Sequence, residues 1–586
     1  MNKLVDALLS TETVRRTRTH EGAVSHATMS TGDSNAMEVL DFYSTAGSVR
    51  GNEYRATEAW KKAMSGHLLL AVRALFFVRD ARGGAGERDT FVFFFRQLAE
   101  TNDSVAAGLV NHIPEYGRWD DLLPFVNAKF MASAPLTYKA IMNLIASTLR
   151  GDLKALFNAN PSGNGLTTNS GSNLSNYDLN LMGVHSARAS ESVSLCAKWL
   201  PSINIPRRYV RRNKKGTKVV GKLRNRENVA IAKRIAMYLG WSERQYRVAM
   251  SLLRGGVRIP ETYITNGDYS SINYGQLPSK AHMTYRAAFH RNDGERYAKY
   301  LADVQSGKEE IKSTSLNAYE FARAYGFKRG GRAGAMSFDA TLEAQWKALL
   351  AKAKENDLDF SILPVVDNSS SMDDFGFYGG NKIGRTTNLT PRLIATSMAV
   401  YFASLNEGAY HNVFMTFADN AEMVSFADGS LKDQLTTVFN KPWKGGGTYI
   451  NKAYELLLQT AIFNKVSPDE MPDAIMYLSD MQFSPTVNRY GVGYGSDYPV
   501  TALEEMRLKY ASFGYAMPLV IFWNINAYPE SQPAKALDTG VITVSGWSQQ
   551  IGDSFARMDV DNLLNMTPFG EMLDRLNGDR YANITI

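Results

Sequence analysis

A chain of 586 residues, 44% hydrophobic and 21% charged, exceeds what one hydrophobic core usually organises, so two or more domains are expected and a disordered scaffold is excluded. Its single cysteine, Cys196, rules out an internal disulfide; within the helical pattern SLCAKWL it reads as a packing residue of a protein in a reducing, cytoplasmic compartment. The net charge of +7 hides an asymmetry: from residue 336 onward 18 Lys and Arg face 29 Asp and Glu (−11), which leaves 47 against 29 (+18) before it. A basic half that meets a polyanion and an acidic half with another task are implied.

Residues 1–35 are rich in Ser, Thr and Gly without a sustained period and read as a flexible N-terminal arm with no secretory leader. Residues 36–335 form a basic α-helical domain, with apolar residues at helical spacing in AWKKAMSGHLLLAVRALFFV, TFVFFFRQLAE and AIMNLIASTLRGDLKALF. The most apolar run, LLLAVRALFFV, is too short to span a membrane and is interrupted by Arg73, so no membrane partner is expected. Residues 158–182, dominated by Asn, Ser and Gly, read as an exposed insertion. Helices are then expected near 188–200, 226–239, 242–254, 279–291, 295–305 and 315–324, as divergent pairs without a strict repeat.

KRGGRAGA at 328–335 marks a boundary. Over 336–586 the short apolar runs FSILPVVD, VFMTFA, AIMYLSD, PLVIFW and GVITVSG alternate with helical stretches, the pattern of a doubly wound α/β sheet, mostly parallel and Rossmann-like. Ligands of such sheets sit beyond the carboxyl ends of the strands.

The first of these strands runs straight into Asp367, Ser369 and Ser371, spaced Asp-x-Ser-x-Ser. Thr448 follows three glycines and precedes a helix, and Asp480 ends a later strand. Two carboxylates and three hydroxyls suit Mg²⁺, or Mn²⁺ or Ca²⁺, a hard cation that takes about six oxygens and keeps some of its waters. A coordination position is left for an acidic group of a partner. The alternative is that DNSSS merely caps a helix. The following segment, 373–390, is either a lid over the metal or an unrelated surface loop. The five residues resemble the metal-ion-dependent adhesion site of von Willebrand factor A domains. The resemblance implies that the hydroxyls ligate directly and the aspartates often through water.

Two strings in the helical part, FVRDARGGAGERDTF and IPEYGRWDDLLPF, read as structural joints between helices through buried ion pairs. The other reading gives Arg79, Arg82 and Arg88 to a phosphate backbone. Segment 206–226 carries Arg207, Arg208, Arg211, Arg212, Lys214, Lys215, Lys218, Lys222, Arg224 and Arg226 with no acid among them. So dense a run either binds nucleic acid by releasing counterions or forms a solvated face.

RDARGGAGERD, PEYGRWDDLL, LCAKWLPS, QLPSKAHMTYRAAFHRND, FADNAEM, VIFWNIN and VSGWS resemble a family of unassigned function found in plants, fungi and viruses, in which a helical region precedes a von Willebrand A domain. The likeness runs from about residue 40 to the C-terminus, so a viral or phage source fits. In its order of parts the chain is similar to the Ro ribonucleoproteins of the TROVE group, which implies HEAT-like helical repeats and an RNA partner. The second expectation, from a different class, is a scaffold whose metal site accepts a carboxylate of a partner protein. The eight histidines show no zinc spacing and no phosphate-loop or dinucleotide fingerprint occurs, so no enzyme is expected.

Overall fold

The computed structural model describes residues 16–158, 193–203, 210–212, 218–220, 226–257, 259–327, 337–355, 360–373, 389–441, 445–485, 501–528, 530–557 and 560–586. They fall into two compact units, Met1–Phe91 with Asn273–Ile584, and Val92–Ile272 with Thr585–Ile586. Among the described residues the strands are β1 (Arg16–Arg18), β2 (Val24–His26), β3 (Val210–Arg212), β4 (Lys218–Val220), β5 (Ile362–Asp367), β6 (Val413–Phe417), β7 (Ala421–Ser425), β8 (Ala474–Ser479), β9 (Leu519–Asn524) and β10 (Val541–Ser545).

In the first unit, six strands form one sheet in the order β10-β9-β8-β5-β6-β7, parallel throughout except for the β6–β7 pair. The expected parallel strands are present, and β7 is an addition. Its sequence AEMVS is mostly exposed, as an antiparallel edge strand allows, and therefore lacks the continuous apolar run of its neighbours. Side-chain alternation sends Leu363, Val365, Met415, Phe417, Ile475, Tyr477, Val520 and Phe522 to one face, against Tyr454 and Leu458 of helix Ile450–Asn464 and Met506 and Tyr510 of helix Ala502–Ser512. Helix Pro391–Leu405 is buried almost all round, with Phe402 against Trp523 of β9 and Tyr401 against Trp346 of helix Ala340–Lys354. From β5 the chain passes to β6 on one side and later returns to β8 on the other, so the strand order reverses at β5 and β8. A doubly wound sheet opens its ligand crevice at such a point.

The units cut the chain differently from the sequence division at 35/36 and 335/336. Over its described residues the N-terminal arm is a built element: β1 and β2 pair as a hairpin, Ser25 Oγ donates to Gln532 O (2.7 Å), His26 N to the same carbonyl (3.0 Å) and Gln532 N to His26 O (2.8 Å). Ser and Thr, read as signs of disorder, here supply the bonds that fasten it.

Residues 40–91 also belong to the α/β unit. Helix Leu68–Arg79 is largely buried, and Glu571 of helix Pro568–Asn577 accepts from Tyr43 Oη (2.9 Å) and from Arg575 (2.6 Å). Asp80, fully buried, receives two bonds of 2.8 Å from Arg580 and one of 3.1 Å from Tyr581 Oη. Glu87 receives two of 2.6 Å from Arg50, whose guanidinium lies 3.9 Å from the Trp547 ring centroid. The glycines of RDARGGAGERD follow from this crowding: a Cβ on Gly84 would lie 2.1 Å from Phe77 O, and Gly86 has φ +71°.

Among its described residues the second unit is helical apart from the β3–β4 hairpin, with helices Pro135–Asn158, Arg226–Leu239 and Glu243–Gly256, the last opened by a Ser242–Gln245 capping box. Cys196 is buried in it. Asp121 Oδ2 accepts from Arg118 N (2.9 Å) to start the 3₁₀ turn Trp119–Phe125, the joint read from PEYGRWDDLL. The insertion 158–182 beyond Asn158 and the boundary 328–335 lie outside the described residues. No helix among the described residues is long and apolar enough to cross a membrane.

Replacing Glu571 by Ala leaves the Arg575 guanidinium buried without its carboxylate. A loss of about 3–5 kcal/mol is expected, read as a lowered midpoint in chemical denaturation; an unchanged midpoint would show that the pair does not hold the terminal helix.

Candidate functional site

The crevice is built from the ends of β5 and β8. Burial drives Ile362–Asp367 straight into the core, so Asp367 ends its strand with its carboxylate fully enclosed. Asp367 Oδ1 accepts from Ser369 N (2.9 Å) and Oδ2 from Ser479 Oγ (2.5 Å). The turn after it is pinned twice, by Asn368 N on Phe417 O (2.8 Å) and by Arg392 Nη2 on the carbonyls of Asn368 (3.2 Å) and Ser369 (2.9 Å). Arg392 also pairs with Asp373 at 3.2 Å. This turn sets the hydroxyls of Ser369 and Ser371 3.0 Å apart while Ser370 points outward.

Thr448 arrives from the glycine loop. A Cβ on Gly445 would overlap the Ala418 side chain at 2.0 Å, and Asp419, in the β6–β7 turn, accepts from Gly446 N (2.7 Å) and Gly447 N (2.8 Å). Thr448 is buried and tied to the segment after β8 by two bonds of 2.9 Å, Thr448 N to Ser484 Oγ and Ser484 N to Thr448 O.

Asp480 follows β8 and is fully buried. Its Oδ1 accepts from Gln482 N (3.1 Å), whereas Oδ2 has no hydrogen-bond partner. Burial first, then the negative charge of Asp367, push its carboxyl up to about 7; the Gln482 N–H and the Ser371 hydroxyl work the other way. Asp367 is likewise raised by burial, against the pull of Ser369, Ser479 and Arg392. Met481 takes the left-handed φ of +61°, an uncommon conformation for a side-chain residue and one that collects at functional sites. Among the described residues no group of three or more His, Cys, Asp or Glu gathers for a metal.

The residues fit a small divalent cation on one observation above others: a wholly buried carboxylate oxygen has no donor, beside a second buried carboxylate and a pair of hydroxyls. A cation between them would satisfy that oxygen and offset the repulsion. Sequence reasoning missed Arg392, Asp419 and Ser484, which hold these groups through backbone contacts, and Ser479, whose hydroxyl holds the Asp367 carboxylate directly. FADN, a turn signal, is the one local hint of Asp419.

The remaining candidates are scattered. Arg79 is 3% exposed and is not offered to a phosphate backbone; Arg82 is exposed and Arg88 partly so. Within the basic segment, Arg211, Arg212 and Lys218 lie on the β3–β4 hairpin, with Arg212 opposite Lys218, and Arg226 is exposed at a helix start. Arg207, Arg208, Lys214, Lys215, Lys222 and Arg224 lie outside the described residues, as does nearly all of 373–390.

Residues 361–564, which include all five candidate ligands, match a domain of unknown function (DUF7788), and residues 131–357, which include the basic segment, match another (DUF2828). The chain is also similar to uncharacterized protein L728 of Acanthamoeba polyphaga mimivirus, at 24% identity over 532 residues, covering 88% of this chain and 78% of that protein. That relative is viral, and the alignment takes in both halves.

The two carboxylates predict a pH dependence. A folded-state pKa raised to about 7 from 3.8 gives Asp480 a stabilising contribution that is complete below pH 3.8 and lost as pH rises through about 7. Metal-free protein is therefore expected to melt lower at pH 8 than at pH 5, with the difference reduced in Asp480→Asn. Thermal melts in chelator across this range check it; equal pH dependence of parent and variant would contradict the assignment.

Proposed function

We propose that the chain is an RNA-binding protein of ribonucleoprotein type. Its α/β part is a von Willebrand A domain, and its helical part, with HEAT-like repeats in the manner of Ro proteins, grips the nucleic-acid backbone. Asp367, Ser369, Ser371, Thr448 and Asp480 would hold Mg²⁺, which supplies a Lewis-acid point for an acidic ligand group. The observation that carries this reading is the donorless Asp480 Oδ2 beside the Ser369–Ser371 pair, at the point where the strand order reverses. The chain's own residues orient and bind; no acid or base is assigned a catalytic step.

The RNA part is supported by charge. Segment 206–226 carries ten Lys and Arg with no acid among them, and so dense a run releases counterions from a phosphate backbone.

Calorimetry should find Mg²⁺ uptake by the parent chain and none by Asp367→Ala with Ser369→Ala, which keeps the parent's circular dichroism; equal affinity in the double variant removes the metal reading. RNA binding should weaken steeply with salt. Replacing Arg207, Arg208, Arg211 and Arg212 by Ala should flatten the slope of log K against log salt by about 3, as single-stranded RNA loses four phosphate contacts. An unchanged slope removes the RNA reading.

A further inference from the structure

The open end of the β6–β7 hairpin carries a second polar cluster, at the opposite end of these strands from the Asp419 turn and the crevice. His411 and Asn412 precede β6, and Asp428 follows β7. Asn412 is pinned in the left-handed conformation (φ +58°), with its N–H on Ala403 O (2.8 Å) and its carbonyl accepting from Phe426 N (3.1 Å). The His411 ring is oriented from behind. Its Nδ1 lies 2.8 Å from Asn406 O and therefore carries a proton, and Asn406 is itself locked to the N–H (3.1 Å) and the carbonyl (2.7 Å) of Ile362. Nε2 is thereby aimed at Asp428 and Asn412.

Three polar atoms meet there in a triangle. His411 Nε2 lies 2.9 Å from Asp428 Oδ1 and 3.0 Å from the Asn412 amide nitrogen, which is 2.8 Å from Oδ1. Asp428 is 83% exposed, and a carboxylate so open to water is ionised at neutral pH. No placement of protons then satisfies all three contacts. A neutral ring sets the Nε2 lone pair against the carboxylate, and a protonated ring sets Nε2–H against the amide N–H. Turning the amide over brings two oxygens together. A cation at the centre removes the conflict. Asn412 is 3% exposed and its Oδ1 is buried with no hydrogen-bond partner, so turning the amide breaks no bond at that end. Turned, it presents an oxygen beside Nε2 and Oδ1, and the three are spaced as neighbouring ligands of an octahedral ion, which stand about 3.0 Å apart when its bonds are about 2.1 Å.

We propose that His411 Nε2, Asp428 Oδ1 and the Asn412 amide oxygen form one face of a second metal site, for a divalent transition ion such as Ni²⁺ or Co²⁺, with its other positions open to water. The Nδ1–H bond to a backbone carbonyl is the outer contact that fixes a metal-binding imidazole in the required tautomer. The charge of Lys354 also reaches Asp428 and disfavours a hard cation held by charge alone. An ion that bonds imidazole nitrogen strongly is selected, and Mg²⁺ and Mn²⁺ are not expected here. The site is independent of the crevice residues.

The test is calorimetric titration of the untagged full chain with Ni²⁺ in excess Mg²⁺. The parent should take up Ni²⁺, as should Asp367→Ala with Ser369→Ala, whereas His411→Gln and Asp428→Asn should each weaken uptake by at least the roughly tenfold that loss of an outer contact costs. Asp428 is exposed, so its variant decides the matter should His411→Gln misfold. Asn412→Asp keeps a residue that tolerates the left-handed backbone and fixes an oxygen toward the ion, so it should tighten uptake. A parent that takes up no Ni²⁺, unchanged affinity in Asp428→Asn, weaker uptake in Asn412→Asp, or loss of uptake in the crevice double variant overturns the site. None of these results bears on Mg²⁺ at the crevice.

Discussion

Two carboxylates, Asp367 and Asp480, are buried completely at the ends of adjacent parallel strands, where water cannot solvate them and each charge opposes the other. Three of their four oxygens are held by Ser369 N, Ser479 Oγ and Gln482 N; the fourth has no donor. A hydrophobic core does not enclose such a pair without an external countercharge or a raised affinity for protons. The second response is legible in the upward displacement of the two carboxyls; the first is the proposal made for the crevice, where the Ser369 and Ser371 hydroxyls lie 3.0 Å apart.

The surrounding architecture serves that constraint. Sheet topology delivers the two acids to one crevice, and the loops that carry Ser369, Ser371 and Thr448 are then fixed through backbone groups by Arg392, Asp419 and Ser484. Farther out, the early helices lock to helix Pro568–Asn577 and the segment after it through Tyr43–Glu571 and Asp80–Arg580, with Arg575 paired to the Glu571 carboxylate from within its own helix. Arginine suits these joints because its planar fork meets a carboxylate at two points, as Arg50 does with Glu87.

Much of the α/β fold was legible because a fully buried parallel strand writes a continuous apolar run, and ILPVVD, VFMTF, AIMYLS, LVIFWN and VITVS all do so. The candidate site was legible where a strand ran directly into a polar residue, as at Asp367 and Asp480. Edge strand β7 was not, since AEMVS is largely solvated. Nor was the union of residues 16–91 with the sheet, because contacts such as Ser25 with Gln532, or Asp80 with Arg580, join residues some five hundred positions apart and impose no local periodicity.

The central claim is that oxygens from β5, the glycine loop and the end of β8 converge on one divalent ion. A crystal of the full chain soaked in Mn²⁺ and measured at the manganese absorption edge addresses it most directly. The account requires a single strong anomalous peak bonded to the hydroxyls of Ser369, Ser371 and Thr448, with Asp367 and Asp480 on its water ligands or on the ion itself. Clear density for those side chains with no peak among them, or with the ion held elsewhere, would contradict it.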